Sequence, residues 1–323
     1  IEHGAAAAHA DHPIATVPIA FEVATQGDLA FVAGSSSGLQ VVDVSAPDAP
    51  TIIGEYSGSW PLDVQIQGDY AYICPANPGL EIISIVDPTN PVMVGSIDPL
   101  GTADALTVHG DWVYLAAQSR GLQIIEVTDP TTPVQRGEMD LPGTPFGLHA
   151  TGGYLYMACD RAGLQIADLT APDSPTIVAS LPMADQAWNV LVVDGIAYVS
   201  GYDEGLHIVD VSNPLAPVLL STLHTPGMVR DVTLDGNLVY IADDDGGMQS
   251  VGSATFLVDA PDLHRCLPFL ATNRLVEADD QPLGVDRRGP EPRSGRQGGE
   301  EGRREPVPDG GRGPPGLDFR QPR

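Results

Sequence analysis

An aromatic residue recurs at Phe31, Tyr72, Tyr114, Tyr156, Tyr198 and Tyr240, at intervals of 41, 42, 42, 42 and 42 residues. A Gly-Leu or Gly-Met pair keeps the same intervals, beginning at Gly38, Gly79, Gly121, Gly163, Gly205 and Gly247. Paired prolines follow at Pro47/Pro50, Pro88/Pro91, Pro130/Pro133, Pro172/Pro175 and Pro214/Pro217. Three independent markers on one period make the chain an array of a single supersecondary unit. Such a unit cannot bury its apolar face alone, so the copies must stack on one another.

Each unit holds four short strand-like runs punctuated by turn residues. In the second unit these are 62–66, 70–74, 80–85 and 92–97. Gln67-Gly68-Asp69 forms a tight hairpin turn whose glycine supplies positive φ. Asp87-Pro88-Thr89-Asn90-Pro91 stops the ladder, because proline removes a donor and presets the turn. No helical period is present over 14–247. Middle strands such as Tyr70-Ala71-Tyr72-Ile73 and Trp112-Val113-Tyr114-Leu115 are apolar on both faces and need cover on both. Four antiparallel strands per unit, stacked between like neighbours, is the arithmetic of a β-propeller blade. The expected class is therefore all-β, a propeller of six four-stranded blades. A seventh blade or an incomplete ring is also compatible with the sequence.

The segments Gly38-Leu-Gln-Val-Val-Asp-Val-Ser45, Gly121-Leu-Gln-Ile-Ile-Glu-Val127 and Gly205-Leu-His-Ile-Val-Asp-Val-Ser212 resemble the LVIVD repeat. The resemblance covers about residues 19–249. It implies a propeller of the kind found in bacterial and archaeal proteins, many of them exported or surface-attached. No catalytic motif travels with it.

Closing the ring requires that no sheet edge be left bare. The run Pro13–Pro18 stands where an outermost strand should precede the first inner strand, and is expected to supply the fourth strand of the last blade. The third strand of that blade reads as damaged, since Ser250-Val251-Gly252-Ser253 replaces Ile-Val-Asp-Val-Ser. From about residue 275 the chain is rich in Arg, Gly, Pro and Glu, which cannot build a core. Residues 253–323 are expected to be a disordered tail or the product of a shifted reading frame near residue 249. The division expected is 1–12 as a flexible segment, 13–252 as the propeller and 253–323 as the tail.

The charge of the chain is −28. Residues 1–247 hold 31 acids and 4 Arg, a balance of −27; residues 248–323 hold 12 acids and 11 Arg, a balance of −1. So acidic a body argues against nucleic acid and against attraction to anionic membranes. No run of 18 apolar residues spans a bilayer. The start at Ile1 without methionine fits a mature terminus after signal cleavage, or a fragment. Cys74 and Cys159 fall in non-adjacent units, so a disulfide between them is not expected.

Ligands of propellers bind at the loop face around the channel mouth. The inner-strand positions expected there are Glu22, Asp63, Ala105, Gly147, Asn189 and Asp231, preceded by Phe21, Leu62, Asp104, Phe146, Trp188 and Arg230. Glu22, Asp63, Asn189 and Asp231 could supply oxygen ligands to calcium; water contact in a wet channel is the plainer expectation. Trp60, Phe146 and Trp188, with Arg120, Arg161 and Tyr202, suit protein or carbohydrate recognition, or else cover gaps between blades. The first expectation is a monomeric, non-catalytic binding or scaffold propeller without cofactor, extracellular, cell-surface or periplasmic. Its rivals are a metal-dependent propeller hydrolase or lactonase, and a truncated fragment with no function of its own.

Overall fold

The computed structural model describes residues 20–252 except 35–36, 76–78, 99–101 and 237, together with the backbone but not the side chain of Asp245. These residues all belong to the first of two compact units, Ile1–Leu267. The expectations for Pro13–Pro18 and for 253–323 lie outside the described residues.

Twenty-three strands and two single 3-10 turns form the described chain. Blade 1 is β1 (Ala20–Gln26), β2 (Leu29–Gly34), β3 (Gly38–Asp43) and β4 (Thr51–Tyr56). Blade 2 is β5 (Pro61–Gln67), β6 (Tyr70–Pro75), β7 (Leu80–Ser84) and β8 (Val92–Ile97). Blade 3 is β9 (Ala105–His109), β10 (Trp112–Ala116), β11 (Leu122–Glu126) and β12 (Val134–Met139). Blade 4 is β13 (Gly147–Thr151), β14 (Tyr154–Ala158), β15 (Leu164–Asp168) and β16 (Thr176–Leu181). Blade 5 is β17 (Ala187–Val193), β18 (Ile196–Gly201), β19 (Leu206–Asp210) and β20 (Val218–Leu223). Blade 6 is β21 (Asp231–Asp235), β22 (Leu238–Ala242) and β23 (Met248–Gly252). Every sheet is an antiparallel meander, so the chain forms a six-bladed β-propeller.

The doubly apolar middle strands are buried on both faces, as expected. Five seams between consecutive blades are filled by apolar side chains. Phe31, Leu39 and Val41 of blade 1 pack on Val64, Ile73 and Ile83 of blade 2. Equivalent clusters join blades 2 and 3, 3 and 4, 4 and 5, and 5 and 6. Burial of this kind contributes about 25 cal/mol per Å² of apolar surface and is the main force holding blade to blade.

Polar side chains link neighbours one repeat apart. Gln26 Nε2 donates to Gly68 O (3.1 Å) and Gln67 Nε2 to Gly110 O (2.8 Å). The Leu106 amide donates to Asp63 Oδ2 (2.7 Å), and the Ala150 amide to Thr107 Oγ1 (3.3 Å). At the rim, the paired prolines earn their recurrence: a Cβ on Gly54 would fall 2.1 Å from Pro88 O and 3.2 Å from Pro91 Cδ. Gly95 stands in the same relation to Pro130 and Pro133.

The inner strands converge on one axis. Glu22 of blade 1 lies within electrostatic reach of both Asp63 of blade 2 and Asp231 of blade 6. The seam between blades 6 and 1 differs from the other five. Ala30, Val32 and Val42 of blade 1 form a small cluster with Val44 and Ile52, and among the described residues it has no member from blade 6. Leu238 and Met248 of blade 6 are exposed. A cleft of about 480 Å³ runs along this blade, lined by Val232, Tyr240, Ile241 and Met248 and rimmed by Arg230, Asp231 and Asp244.

The third strand of blade 6 corrects the sequence reading. Although Ser250 and Gly252 break the apolar pattern, β23 pairs with β22 in unbroken register from Leu238↔Gly252 to Ala242↔Met248. Backbone pairing does not require the side chains that the pattern tests. Cys74 and Cys159 are buried free thiols.

Candidate functional site

Three blades in succession place a residue at the start of the inner strand in one cluster. Phe146, Trp188 and Arg230 are each one repeat apart, on blades 4, 5 and 6. The rings of Phe146 and Trp188 stack at 4.4 Å with 16° between their planes. The Arg230 guanidinium lies over Trp188, 5.5 Å from the ring centroid, within the range of a cation–π contact. Tyr202, on the turn between β18 and β19, tilts toward Trp188 at 6.0 Å. Arg230 in turn pairs with Asp244 at 3.0 Å. Phe146, Arg230 and Tyr202 thus all approach the Trp188 ring, which remains partly exposed.

The turn carrying Tyr202 is held by Asp185. Its Oδ2 accepts the amides of Asp203 and of Glu204 (2.8 Å), while Oδ1 accepts the Gln186 amide (2.6 Å). Arg161, Met183, Asp185, Gln186 and Asp203 line a neighbouring cleft of about 270 Å³. Arg120 closes the 3-10 turn between β10 and β11, where its carbonyl accepts from Gln123 Nε2. Trp60 stands apart on blade 2 and is 63% exposed. The structure thus gathers Phe146, Trp188 and Tyr202, adds Arg230 and Asp185, and leaves Trp60, Arg120 and Arg161 outside the stack.

The four polar inner-strand residues are drawn into the scaffold. Asp63 is buried, and burial raises its carboxyl to about 6 against the opposing effect of hydrogen bonds from the amides of Leu106 and Val64. Asn189 Nδ2 donates to Asp231 Oδ1 at 2.7 Å, joining blade 5 to blade 6. Burial also raises Asp231. Glu22 is pushed up to about 8, first by burial and then by the charges of Asp63 and Asp231. A bulge in the ladder immediately precedes Glu22 and Asp63, and Asn189 lies within the corresponding irregularity between Ala187 and Val190, so the regular alternation of each strand is broken at these residues. Gly147 occupies the equivalent place in blade 4 because a Cβ there would fall 2.6 Å from Asn189 Cα. Among the described residues no group of three or more His, Cys, Asp or Glu side chains is arranged to hold a metal ion. Nor is any described helix long and apolar enough to cross a membrane, which leaves strand-built spans unaddressed.

A family model described as LVIVD repeat matches residues 19–58, 62–99, 100–140, 143–181, 184–225 and 226–251. No curated protein sequence matches the chain. Among solved structures, a functionally unknown protein from Desulfotomaculum acetoxidans DSM 771 is similar at TM-score 0.64 and 13% identity, covering 73% of this chain and 83% of that one. The β-propeller domain of Myceliophteria thermophila Cps50 (Swd1) gives 0.59 and 12%, covering 72% and 83%. The computationally designed Ika8 protein gives 0.58 and 12%, covering 72% and 70%. At such identities the likeness concerns the fold alone.

Proposed function

This chain belongs to the LVIVD repeat family, and from that premise we propose that it is a non-catalytic binding propeller whose loop face over blades 4 to 6 docks a protein ligand. The observation that carries the reading is the stack of Phe146, Trp188 and Arg230 with Tyr202 beside it. Preorganised aromatic and Arg side chains are the groups that dominate protein interfaces when a partner desolvates them. Phe146 already stacks on Trp188 and Arg230 lies over the same ring, which leaves less of the indole for a sugar to stack on and favours a polypeptide over a glycan. The strong negative charge of residues 1–247 favours a partner with a basic docking surface. The extracytoplasmic setting is proposed from the habit of the family, and a monomeric state from the strongly negative charge of the chain, which sets copies against one another; cell fractionation and light scattering test them.

The ligand proposal is tested by selecting a displayed peptide library on the intact chain and probing an immobilised glycan panel in parallel. Expected are peptides containing basic residues whose affinity falls at least roughly thirty-fold on Trp188→Ala, the effect of losing a hot spot of about 2 kcal/mol. Glycans that bind and lose affinity with the same substitution, or peptides indifferent to it, would overturn the reading. The rival metal-dependent hydrolase has one observation in its favour, the repulsion among Glu22, Asp63 and Asp231, which a cation would relieve. It requires calcium to raise the melting temperature and chelation to lower it.

A further inference from the structure

The third strand of every blade carries a side chain at one repeat position: Gln40, Glu81, Gln123, Gln165, His207 and Gln249. Where it is glutamine in blades 3, 4 and 6, Nε2 donates to the backbone carbonyl three residues earlier. Gln123 reaches Arg120 O (3.2 Å), Gln165 reaches Ala162 O (2.7 Å) and Gln249 reaches Gly246 O (2.8 Å). That bond ties the turn between second and third strands to the sheet. Blade 5 departs from this scheme. His207 is 2% exposed, its Nδ1 is 2.9 Å from Thr222 Oγ1, and its Nε2 has no hydrogen-bond partner.

The turn above His207 is the one carrying Tyr202, and Asp185 holds it instead. A Cβ on Gly201 would fall 2.8 Å from His207 Nε2 and 3.2 Å from Asp185 Oδ2, so imidazole and carboxylate crowd the same point beside Gly201. The charged groups facing the ring are Asp185 from the loop before β17, Glu204 from the turn, and His224 from beyond β20. We propose that His207 is a positioning residue that senses protons: when it is neutral, Asp185 is free to hold the Tyr202 turn, and when it is charged it draws on that carboxylate and loosens Tyr202 from Trp188. The consequence for a ligand rests on the binding face proposed above; the conformational step does not. Burial holds the imidazole below its ordinary value of 6.5, with Glu204 and Asp185 opposing and His224 reinforcing the shift. The turn is therefore ordered above that value and loosens as the pH falls below it.

The experiment needs no ligand, so the absence of any binder would leave its result standing. With Trp60→Phe and Trp112→Phe, Trp188 is the sole indole of the chain, and its emission and near-UV dichroism are followed from about pH 8 to about pH 5. Expected is a one-proton step with a midpoint below 6.5, coincident with the His207 ring signal in a histidine NMR titration. His207→Gln, which installs the residue used by blades 3, 4 and 6, should abolish that step. A Trp188 step persisting in His207→Gln would overturn the proposal, as would a His207 titration with a different midpoint or with no change at Trp188. The NMR comparison uses the unsubstituted histidine, so it decides even if the glutamine variant folds poorly.

Discussion

Glu22 carries the least favourable charge described in the ring, and its consequence is a pH dependence with a definite sign. Its carboxyl rises from 4.5 to about 8 on folding, and that of Asp63 from 3.8 to about 6. A raised acid binds its proton more tightly in the folded state. Its stabilising contribution is therefore complete below the unfolded value and is lost as the pH climbs through the folded one. His149 and His207, lowered by burial, act in the opposite sense, and their contribution is lost as the pH falls below 6.5. The Glu22 loss accrues between about pH 4.5 and about pH 8 and is opposed by the histidines only below 6.5, so the melting temperature should decline most clearly between about pH 6.5 and about pH 8, at roughly 2–4 °C per kcal/mol for a domain of this size. Glu22→Gln should flatten that limb and, by removing the opposing contribution, steepen the rise with pH that the histidines give below 6.5; an unchanged alkaline slope by differential scanning calorimetry would refute the assignment. At this scale the sequence yielded part of the site. Phe146 and Trp188 were recognisable because equivalent positions on adjacent blades must lie side by side, and the same rule would have flagged Arg230. Trp60 has Thr102 one repeat on, so it has no neighbouring ring to join. Asp185 was invisible because its role is to accept turn amides, which no residue pattern encodes.

The recurring Gly-Leu or Gly-Met element shows why the fold was the more legible half. Gly121, Gly163 and Gly205 take φ of 69°, 72° and 97°. A Cβ on them would fall 2.3, 2.3 and 2.1 Å from the carbonyls of Met139, Leu181 and Leu223, where the chain leaves the outer strand. Glycine is thus demanded twice, by backbone conformation and by contact, and the period of the sequence is the period of that demand. Gly247 keeps the same φ of 70° but meets nothing within 4 Å among the described atoms. Gly121→Ala should then cost both the strain of positive φ and the clash, about 3 kcal/mol or more, while Gly247→Ala should cost only the strain, about 1 kcal/mol. Equal losses in urea titrations of the two variants would show that the outer-strand contact does not matter. The same element explains the misreading of β23. Side-chain pattern reports which residues are buried, whereas strand pairing is made by the backbone, and a strand with exposed side chains such as Met248 can lose the first while keeping the second.

For the whole ring, six equivalent seams would make stability uniform around the axis, and the apolar clusters are not uniform. Five seams bury large side chains such as Tyr114, Ile73 and Leu122 completely, whereas Leu238 and Met248 of blade 6 stay exposed beside an open cleft. Among the described residues blade 6 shares an apolar cluster on one flank only, where its fellows in the middle of the chain share two, so it is expected to open first and without unfolding its neighbours. Hydrogen exchange should accordingly find the amides of β22 and β23 the least protected strand amides, with protection rising through blade 5 to blades 3 and 4. Truncation should follow the same gradient. Leu122→Ala, in the fully buried seam between blades 3 and 4, should cost about 2–5 kcal/mol, whereas Leu238→Ala should fall within about 1 kcal/mol of no effect. The inner-strand bond from Asn189 to Asp231 then acquires a second meaning, because it and the Trp188–Arg230 contact are what fasten the weakly held blade at the loop face. A protein ligand gripping that face would bridge blades 5 and 6 and slow exchange in β22 and β23 in particular. Uniform protection across all six blades would mean that the seam beside blade 1 is as well filled as the rest, and the proposed gradient would be wrong.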